Sequence, residues 1–258
     1  MAHDGGVAEP TSDEINWGAE HACAAAWPAG DEQRVGGWIV RRSGGGTRRA
    51  NSASPAHADA TLDAGTLTAI EALFAAHRQP AILRVPSLTP AIDAVLTDAG
   101  YGPPDGMTHT LAATLSGEHR RDAAVTLSDS ADAAWRAARM RLSRALGGRA
   151  RDHVDVLDRL RVPALFARIE ADGDVQAVGY VALVGGLAVV ESIATDPAHR
   201  RRGFARRCAG SLLAAAHDAG ARDAVLQVVA DNAAALALYA QLGFTAHLYD
   251  YHYRRRMP

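Results

Sequence analysis

The sequence is poor in cysteine and in net charge. Its two cysteines, Cys23 and Cys208, lie far apart, which argues against a disulfide framework and makes the cytoplasm the expected compartment. The formal charge is −2, from 27 basic and 29 acidic residues, so no overall field draws the chain onto nucleic acid or an anionic membrane. We therefore expect a small-molecule or peptide ligand, with neither nucleic acid nor membrane as a partner.

Long apolar runs are also missing. No stretch approaches the roughly 20 residues that a membrane-spanning helix needs. Residues 1–16 are acidic and rich in glycine, and they lack the basic and apolar regions of a secretory signal. At 258 residues, of which 48% are hydrophobic, the chain is long enough to form two compact domains.

Hydrophobic periodicity predicts alternating strands and helices in both halves. In the first half we expect a strand at 37–42, a glycine turn at 43–46, an extended stretch at 47–52, a helix near 62–74, a strand at 81–85, a helix at 89–99 and a strand at 109–114. In the second half we expect a helix at 130–146, interrupted at Gly147-Gly148, strands at 164–170, 176–184 and 187–195, a helix at 203–217, a strand at 224–229, a helix at 232–242 and a strand at 248–253. The polar stretch near 116–122 separates a predicted N-terminal domain, 1–118, from a second domain, 123–258.

The two halves also resemble each other. An offset of 143 residues, without a gap, aligns Gly36 with Gly179, Leu83 with Leu226, Val85 with Val228, Gly100 with Gly243 and Tyr101 with Phe244. The order of strand, helix, glycine and aromatic residue agrees in both halves. This pattern predicts a degenerate tandem duplication.

A basic glycine loop follows the 187–195 strand and opens the next helix. Its residues are Arg200, Arg201, Arg202, Gly203, Phe204, Ala205 and Arg206. A helix start presents unpaired N–H groups and the positive end of the helix dipole. Glycine admits a phosphate close to the backbone, and arginines add charge-assisted hydrogen bonds. The loop is therefore either an anion site suited to a pyrophosphate or an exposed helix start with a solvated basic run.

This loop and a later segment together resemble the GNAT superfamily of N-acetyltransferases. The phosphate loop of that family has Gln or Arg, then Gly, then Gly or Ala, matched by Arg200, Gly203 and Ala205. Its later segment has an Asn that begins a helix, a Tyr and then Gly-Phe, matched by Asn232, Tyr239, Gly243 and Phe244. The resemblance covers the second half of the chain. It implies an α/β fold with a mixed, mostly antiparallel splayed sheet flanked by helices, here duplicated in tandem.

The resemblance also implies a function and a set of site residues. Acetyl-CoA would be the acyl donor, without a metal, and a primary amine of a small molecule or peptide would attack it directly in a ternary complex. The pantetheine arm would insert between two splayed strands and meet Ile193, Ala194 and Thr195. Tyr239 would protonate the departing thiolate, unless it is a core aromatic residue. Asn232 would bond the cofactor, cap the helix, or do both.

Glu191 is the candidate general base. Strand alternation predicts that its side chain shares a sheet face with that of Ile193, near the splay. A solvated carboxylate and a partner for a nearby arginine are the alternatives. Cys208 is expected to be a core residue, and the histidines do not fall in a zinc-ligand spacing, so no metal is predicted.

The first half departs from the family pattern where the cofactor would bind. At the 143-residue offset the loop positions are His57 to Ala60, and Thr89 and Leu96 replace the Asn and the Tyr. We expect no cofactor site there and a role in shaping the substrate cleft. Residues 37–38 with 47–52 resemble a segment of some bacterial two-domain GNAT proteins, either for substrate or as a polar strand face. The rival interpretation of the whole chain is a non-catalytic sensor that binds acyl-CoA.

Overall fold

One sheet runs through the part of the chain that this computed structural model describes, residues 11–44, 46–145 and 152–256. The strands are β1 (Asp31–Val35), β2 (Trp38–Arg42), β3 (Ala53–Pro55), β4 (Ile82–Pro86), β5 (Asp105–Thr114), β6 (Val125–Ser128), β7 (Ala164–Ala171), β8 (Asp174–Val184), β9 (Leu187–Thr195), β10 (Asp223–Val229) and β11 (Ala246–Arg255). The helices are α1 (Ser12–Ala26), α2 (Ala64–Ala75), α3 (Ala91–Asp98), α4 (Ala133–Ala145), α5 (Asp152–Asp158), α6 (Phe204–Asp218) and α7 (Ala233–Gln241), with short 3₁₀ helices at Arg48–Ala50 and Pro197–His199.

The two halves exchange their last strands. The strand order is β1-β2-β3-β4-β11-β5-β10-β9-β8-β7-β6, so β11 lies between β4 and β5 and is antiparallel to both. Strand β5 in turn pairs antiparallel with β10 of the second half. The 143-residue offset places β4 on β10, α3 on α7 and β5 on β11, and this agreement supports the predicted duplication. The boundary between 118 and 123 falls between β5 and β6, and it stays a prediction because the sheet is continuous across the halves.

The sheet is mostly antiparallel, as the fold class predicted. Its parallel pairs are β9 with β10 and β3 with β4. On one face, α6 and α7 cover a core of alanine, valine and leucine side chains that includes Cys208, Leu212 and Leu226. On the other face, α1 and α4 cover a second core that includes Tyr180 and the tyrosines of β11. The first half has its own core around Trp38, Phe74 and Leu96, which is separate from the two cores described above.

Helix α1 was not predicted from the sequence. A capping box begins it: the Thr11 hydroxyl accepts from the Glu14 N–H, and the Glu14 carboxylate accepts from the Thr11 N–H at 2.8 Å. Small buried residues, among them Ala22 and Ala26, let the helix lie close to the sheet. The Tyr180 hydroxyl on β8 donates to the carbonyl of Ala26 at 2.8 Å. The N-terminal helix is therefore part of the core of the second half.

The stretch 47–52 was predicted to be extended, and this is wrong. It contains the 3₁₀ helix Arg48–Ala50, and the return strand is β3, which pairs antiparallel with β2. The Asn51 side chain holds the turn, since it accepts from Ser43 N–H at 2.8 Å and donates to the Thr47 carbonyl at 2.9 Å. Gly45 of the predicted turn, and Leu146 with the interruption at Gly147-Gly148, lie outside the described residues. Among the described helices, none is long and apolar enough to span a membrane.

Candidate functional site

Strands β9 and β10 form a V-shaped gap, which we call the strand opening. They pair in parallel only where 187–189 meets 223–225. Beyond this point β9 stays paired with β8 and β10 with β5, while the facing edges of 190–195 and 226–229 have no strand partner in the described chain. Backbone N–H and C=O groups on two such edges need partners. The strand opening thus offers two unpaired strand edges to an extended ligand that would bind as an additional strand.

A β-bulge lies in β9 at the strand opening. Tyr180 pairs with Glu191 and Val178 pairs with Ala194, so β9 has one residue more than β8 over this interval. Ser192 absorbs the irregularity with a φ of 57°. A Cβ on Gly179 opposite would overlap the Ile193 side chain.

The bulge corrects one expectation. The extra residue reverses the alternation, so Glu191 faces the α1 side of the sheet with Tyr180, whereas Ile193 packs on the α6 side. The prediction that Glu191 and Ile193 share a face is therefore wrong. Ala194 is buried on the α1 side, and Thr195 ends the strand.

The basic glycine loop opens α6 directly after β9. Gly203 is the N-cap of this 15-residue helix with a φ of 76°, and it has no side chain to accept from the first-turn N–H groups. Arg200, Arg201 and Arg202 are exposed, and a Cβ built on Gly203 would meet nothing within 4 Å. An uncapped helix start with exposed arginines at its edge fits a phosphate group.

The first turn of α6 divides its side chains between core and solvent. Phe204 is buried in the core under α6, Ala205 is half-buried and Arg206 is exposed. Arg207 turns back and binds both oxygens of Asp122, at 2.8 and 2.9 Å. The helix start is thereby fixed to the segment that links β5 to β6.

Helix α7 places the second motif on the same face as α6. The Asn232 side chain accepts from the Ala235 N–H at 3.1 Å, so it caps α7, and a bond to a cofactor stays a prediction. Tyr239 is half-buried and contacts Phe244 edge-on, with ring centroids 5.8 Å apart. Burial, and next the negative charge of Glu191, raise the pKa of Tyr239, so its phenol stays protonated at neutral pH.

Glu191 is held by an arginine from the first half of the chain. Its side chain is 5% exposed, and its two oxygens accept from Arg49 at 2.6 and 2.9 Å. The Arg49 guanidinium lies 4.3 Å from the Trp27 ring centroid. Burial lowers the pKa of Arg49, but the charge of Glu191 outweighs it and raises the pKa overall. Glu191 is therefore the partner of a nearby arginine, as one of the alternatives predicted. The role of Glu191 as a general base stays a prediction.

Arg49 is the site residue that the sequence analysis missed. It belongs to the 47–52 segment, whose role was left open between substrate and strand face. The sequence signal that could have identified Arg49 is the resemblance of that segment to a segment of other two-domain proteins. Its partner lies in the other half of the chain, so no local pattern identifies the contact.

A small cavity lies beside this ion pair, on the α1 side of the sheet. It is bordered by both halves of the chain, and its lining includes Glu20, Cys23, Trp27, Arg41, Arg49, Arg84 and Gln227. Because Arg49 and Gln227 belong to this lining, the cavity adjoins the strand opening. One buried polar atom of this lining, Gln227 Nε2, has no hydrogen-bond partner within the described ranges, and the same holds for Ser192 Oγ and Thr195 Oγ1 of β9.

The matching region of the first half is closed. The Asp63 carboxylate caps α2 and accepts from Thr66 N–H at 2.7 Å, so a negative group already occupies this helix start. Leu96, which replaces the tyrosine, is fully buried. The Thr89 hydroxyl donates to the Pro86 carbonyl at 3.2 Å. These contacts favour the expectation that a cofactor binds only in the second half.

Two further groups bear on alternative chemistry. Burial raises the pKa of the Cys208 thiol to about 12, and this core cysteine is not activated as a nucleophile. His109, His247 and Asp250 form a cluster whose geometry would suit a metal ion. Asp250 accepts from His109 at 2.7 Å and from His247 at 2.6 Å, so hydrogen bonds already account for the cluster. Its members lie on β5 and β11, too far apart in sequence for a spacing motif to show them.

Comparisons with known proteins identify the family and the fold. A family model described as "Probable histone acetyltransferase Rv0428c C-terminal" matches residues 14–256. The "Uncharacterized N-acetyltransferase YobR" of Bacillus subtilis (strain 168) is 25% identical over 245 residues, 91% of this chain and 96% of that protein. The GCN5-related N-acetyltransferase from Kribbella flavida has a TM-score of 0.66 at 18% identity and covers 97% of both chains. A tandem GNAT protein from the clavulanic acid pathway has a TM-score of 0.59 at 14% identity, with 98% of this chain and 90% of that one covered. The two structures share the fold.

Proposed function

The chain belongs to the "Probable histone acetyltransferase Rv0428c C-terminal" family and is a GNAT-type N-acetyltransferase, and from this premise we propose that it transfers an acetyl group from acetyl-CoA to a primary amine. The observation that carries this proposal is the open start of α6 beside the strand opening. The helix start suits the pyrophosphate, and the unpaired strand edges suit the amide groups of pantetheine. In this arrangement the thioester lies at the bulge in β9.

We propose direct transfer in a ternary complex. The amine nitrogen forms a bond to the acetyl carbon, the carbon–sulfur bond breaks, and the amine loses a proton while the departing thiolate gains one. The backbone near Ile193, which the bulge re-aims, would stabilise the oxyanion formed in between. Tyr239 would supply the proton to sulfur, since its raised pKa keeps the phenol protonated.

Glu191 is our candidate for receiving the amine proton, directly or through water. Its two oxygens accept hydrogen bonds from Arg49, which restrains the carboxylate in this position. An acceptor that shares Arg49 would release part of this restraint. The first half of the chain would then contribute to the acceptor cleft through Arg49 and not through a second cofactor site.

The rival function is a non-catalytic acyl-CoA sensor. It would use the same helix start and strand opening but would have no need of Tyr239 or Glu191 near the bulge. A screen of amines with acetyl-CoA, followed by the release of free thiol, separates the two. We expect thiol release that depends on at least one amine. Tight binding of acetyl-CoA without transfer across the whole panel would support the sensor and refute the enzyme.

A further inference from the structure

Three side chains that can bind a metal ion meet on β5 and β11. His109 lies on β5, and His247 and Asp250 lie on β11. One ligand atom of each side chain lies within 4.8 Å of the ligand atoms of the other two. Imidazole nitrogens and carboxylate oxygens are ligands that Zn²⁺ and similar divalent transition-metal ions accept. Strand β5 borders β10 on the edge away from the strand opening, so this group of side chains is separate from the acetyl-transfer site.

A β-bulge in β11 brings its two ligands onto one face of the sheet. His247 pairs with Leu111 and Asp250 pairs with His109, so three steps along β11 match two steps along β5. In a regular strand, residues three apart point to opposite faces. The extra residue removes this difference: Leu248 packs with the core on the α1 side, whereas His247 and Asp250 share the other face with His109. Bulges commonly re-aim side chains at functional sites.

Hydrogen bonds hold the carboxylate between the two imidazoles. Asp250 Oδ1 accepts from His109 Nδ1 at 2.7 Å and from His247 Nε2 at 2.6 Å. The backbone of Asp250 is fixed as well, since its N–H donates to Ser87 Oγ at 3.1 Å and its carbonyl accepts from Ser87 N–H at 2.8 Å. The three ligands are therefore oriented before an ion arrives, which lowers the entropic cost of binding.

These hydrogen bonds do not exclude a metal ion. A neutral imidazole carries its proton on either ring nitrogen. When the proton moves to the other nitrogen, the nitrogen that faced Asp250 becomes a metal ligand. A tetrahedral ion with bonds of about 2.0–2.1 Å needs ligand atoms about 3.3 Å apart, so each N–O contact has to lengthen by only about 0.7 Å. Small side-chain rotations provide this, because His247 is exposed and the other two residues are only half-buried.

We propose that His109, His247 and Asp250 bind one divalent transition-metal ion of the zinc type, with water completing its coordination. The ion joins β5 of the first half to β11, the strand that the second half contributes beside it. His109 and Asp250 are 141 residues apart in sequence, so the site exists only in the folded chain. An ion that binds the folded chain alone stabilises it. This inference goes beyond the proposed acetyl transfer and does not depend on it.

The test titrates Zn²⁺ into the full chain by calorimetry, after treatment with a chelator. We expect one Zn²⁺ per chain at this site. Mg²⁺ should not replace Zn²⁺, because Mg²⁺ prefers oxygen ligands. Asp250→Asn keeps the size of the side chain and removes its charge, and His247→Ala removes a ligand at an exposed position. Each variant should lower the affinity for Zn²⁺ at least tenfold. His57→Ala is the matched control, because His57 is an exposed histidine outside the group, and its affinity should equal that of the wild type.

The melting temperature gives a second measurement on the same proteins. Saturating Zn²⁺ should raise it in the wild type and in His57→Ala, and should raise it less in His247→Ala. Wild-type affinity for Zn²⁺ in His247→Ala and Asp250→Asn would show that the ion binds elsewhere and would overturn the inference. So would the absence of saturable Zn²⁺ binding in the wild type. A melting temperature of the wild type that saturating Zn²⁺ leaves unchanged would also contradict it, because the unfolded chain would then bind the ion equally well.

Discussion

Tyr239→Phe removes one hydroxyl and keeps the ring. The aromatic contact with Phe244, at 5.8 Å between centroids, and the packing of Tyr239 against the core under α6 are retained. We therefore expect little change in the melting temperature or in acetyl-CoA affinity. What the variant loses is a proton that burial and the charge of Glu191 hold on the phenol.

The size of the kinetic effect follows from the role of the proton. A positioned general acid contributes about 10²–10⁴-fold, and the lower limit corresponds to about 2.7 kcal/mol of activation free energy. We expect kcat to fall by roughly 10² or more on an established acceptor. The fall should appear in kcat and in kcat/KM alike, because the proton is needed only when charge collects on sulfur.

The assay measures kcat by thiol release, affinity by calorimetry and the melting temperature on one preparation. Tyr101→Phe is the matched control, since Tyr101 is a buried phenol of the first half whose hydroxyl donates to Glu71 at 2.9 Å. It should lose stability, by about 1 kcal/mol for the hydrogen bond, and keep its turnover. Turnover of Tyr239→Phe within about threefold of the wild type, well short of a general-acid effect, would remove Tyr239 from the mechanism.

Three other predictions concern the cofactor and the link between the halves. Gly203→Asp should weaken acetyl-CoA binding at least tenfold by calorimetry, about 1.4 kcal/mol. Gly203→Asn introduces the same backbone strain at a φ of 76° but no charge, so it should lose less of the affinity for acetyl-CoA. Equal losses of affinity in the two variants would show that the backbone and not the charge causes the effect. Titration should give one acetyl-CoA per intact chain, and two equivalent sites would disprove our account of Asp63 and Leu96. The Arg207 hydrogen bonds hold the pKa of Asp122 at about 2, below an unfolded value of about 3.9. The stabilising effect of the Asp122–Arg207 pair is therefore complete above about pH 4 and is lost as the pH falls towards 2. Asp122→Asn should lower the free energy of unfolding at pH 7, by less than about 1 kcal/mol for so exposed a pair, and should flatten its dependence on pH below about 4 in chemical denaturation. The same loss of stability at acid pH in wild type and variant would exclude the pair as its cause.

The second half was predictable from β7 to β11, because the signals there are local, whereas β6 and α5 were not predicted. Turn glycines and alternating apolar residues locate the strands between 164 and 195, and the loop before Gly203 marks the helix start. Helix α1 escaped prediction because half of its buried residues are alanine, which is common throughout the chain and therefore gives little contrast between buried and exposed positions. The bulge at Ser192 shifts one residue within an otherwise regular strand, and composition does not show such a shift.

The contacts that join the two halves could not be predicted from the sequence, for a different reason. Alternating Tyr249, Tyr251 and Tyr253 identify a buried face of β11 but not the strands beside it. Likewise, nothing near Glu191 in sequence indicates that Arg49 binds it. Pairing between distant segments depends on the assembled sheet, and an internal repeat predicts equivalent elements without predicting that they change places.

The exchange of β5 and β11 has a consequence for how the chain is made. Strand β11 is synthesised after the other ten described strands, yet it lies between β4 and β5 of the first half. Until it emerges, β4 and β5 each expose an open edge, and neither half can complete its sheet alone. Loss of β11 by truncation should therefore disrupt both halves and not only the second. A nascent chain stalled before residue 246 is the species that we expect to aggregate.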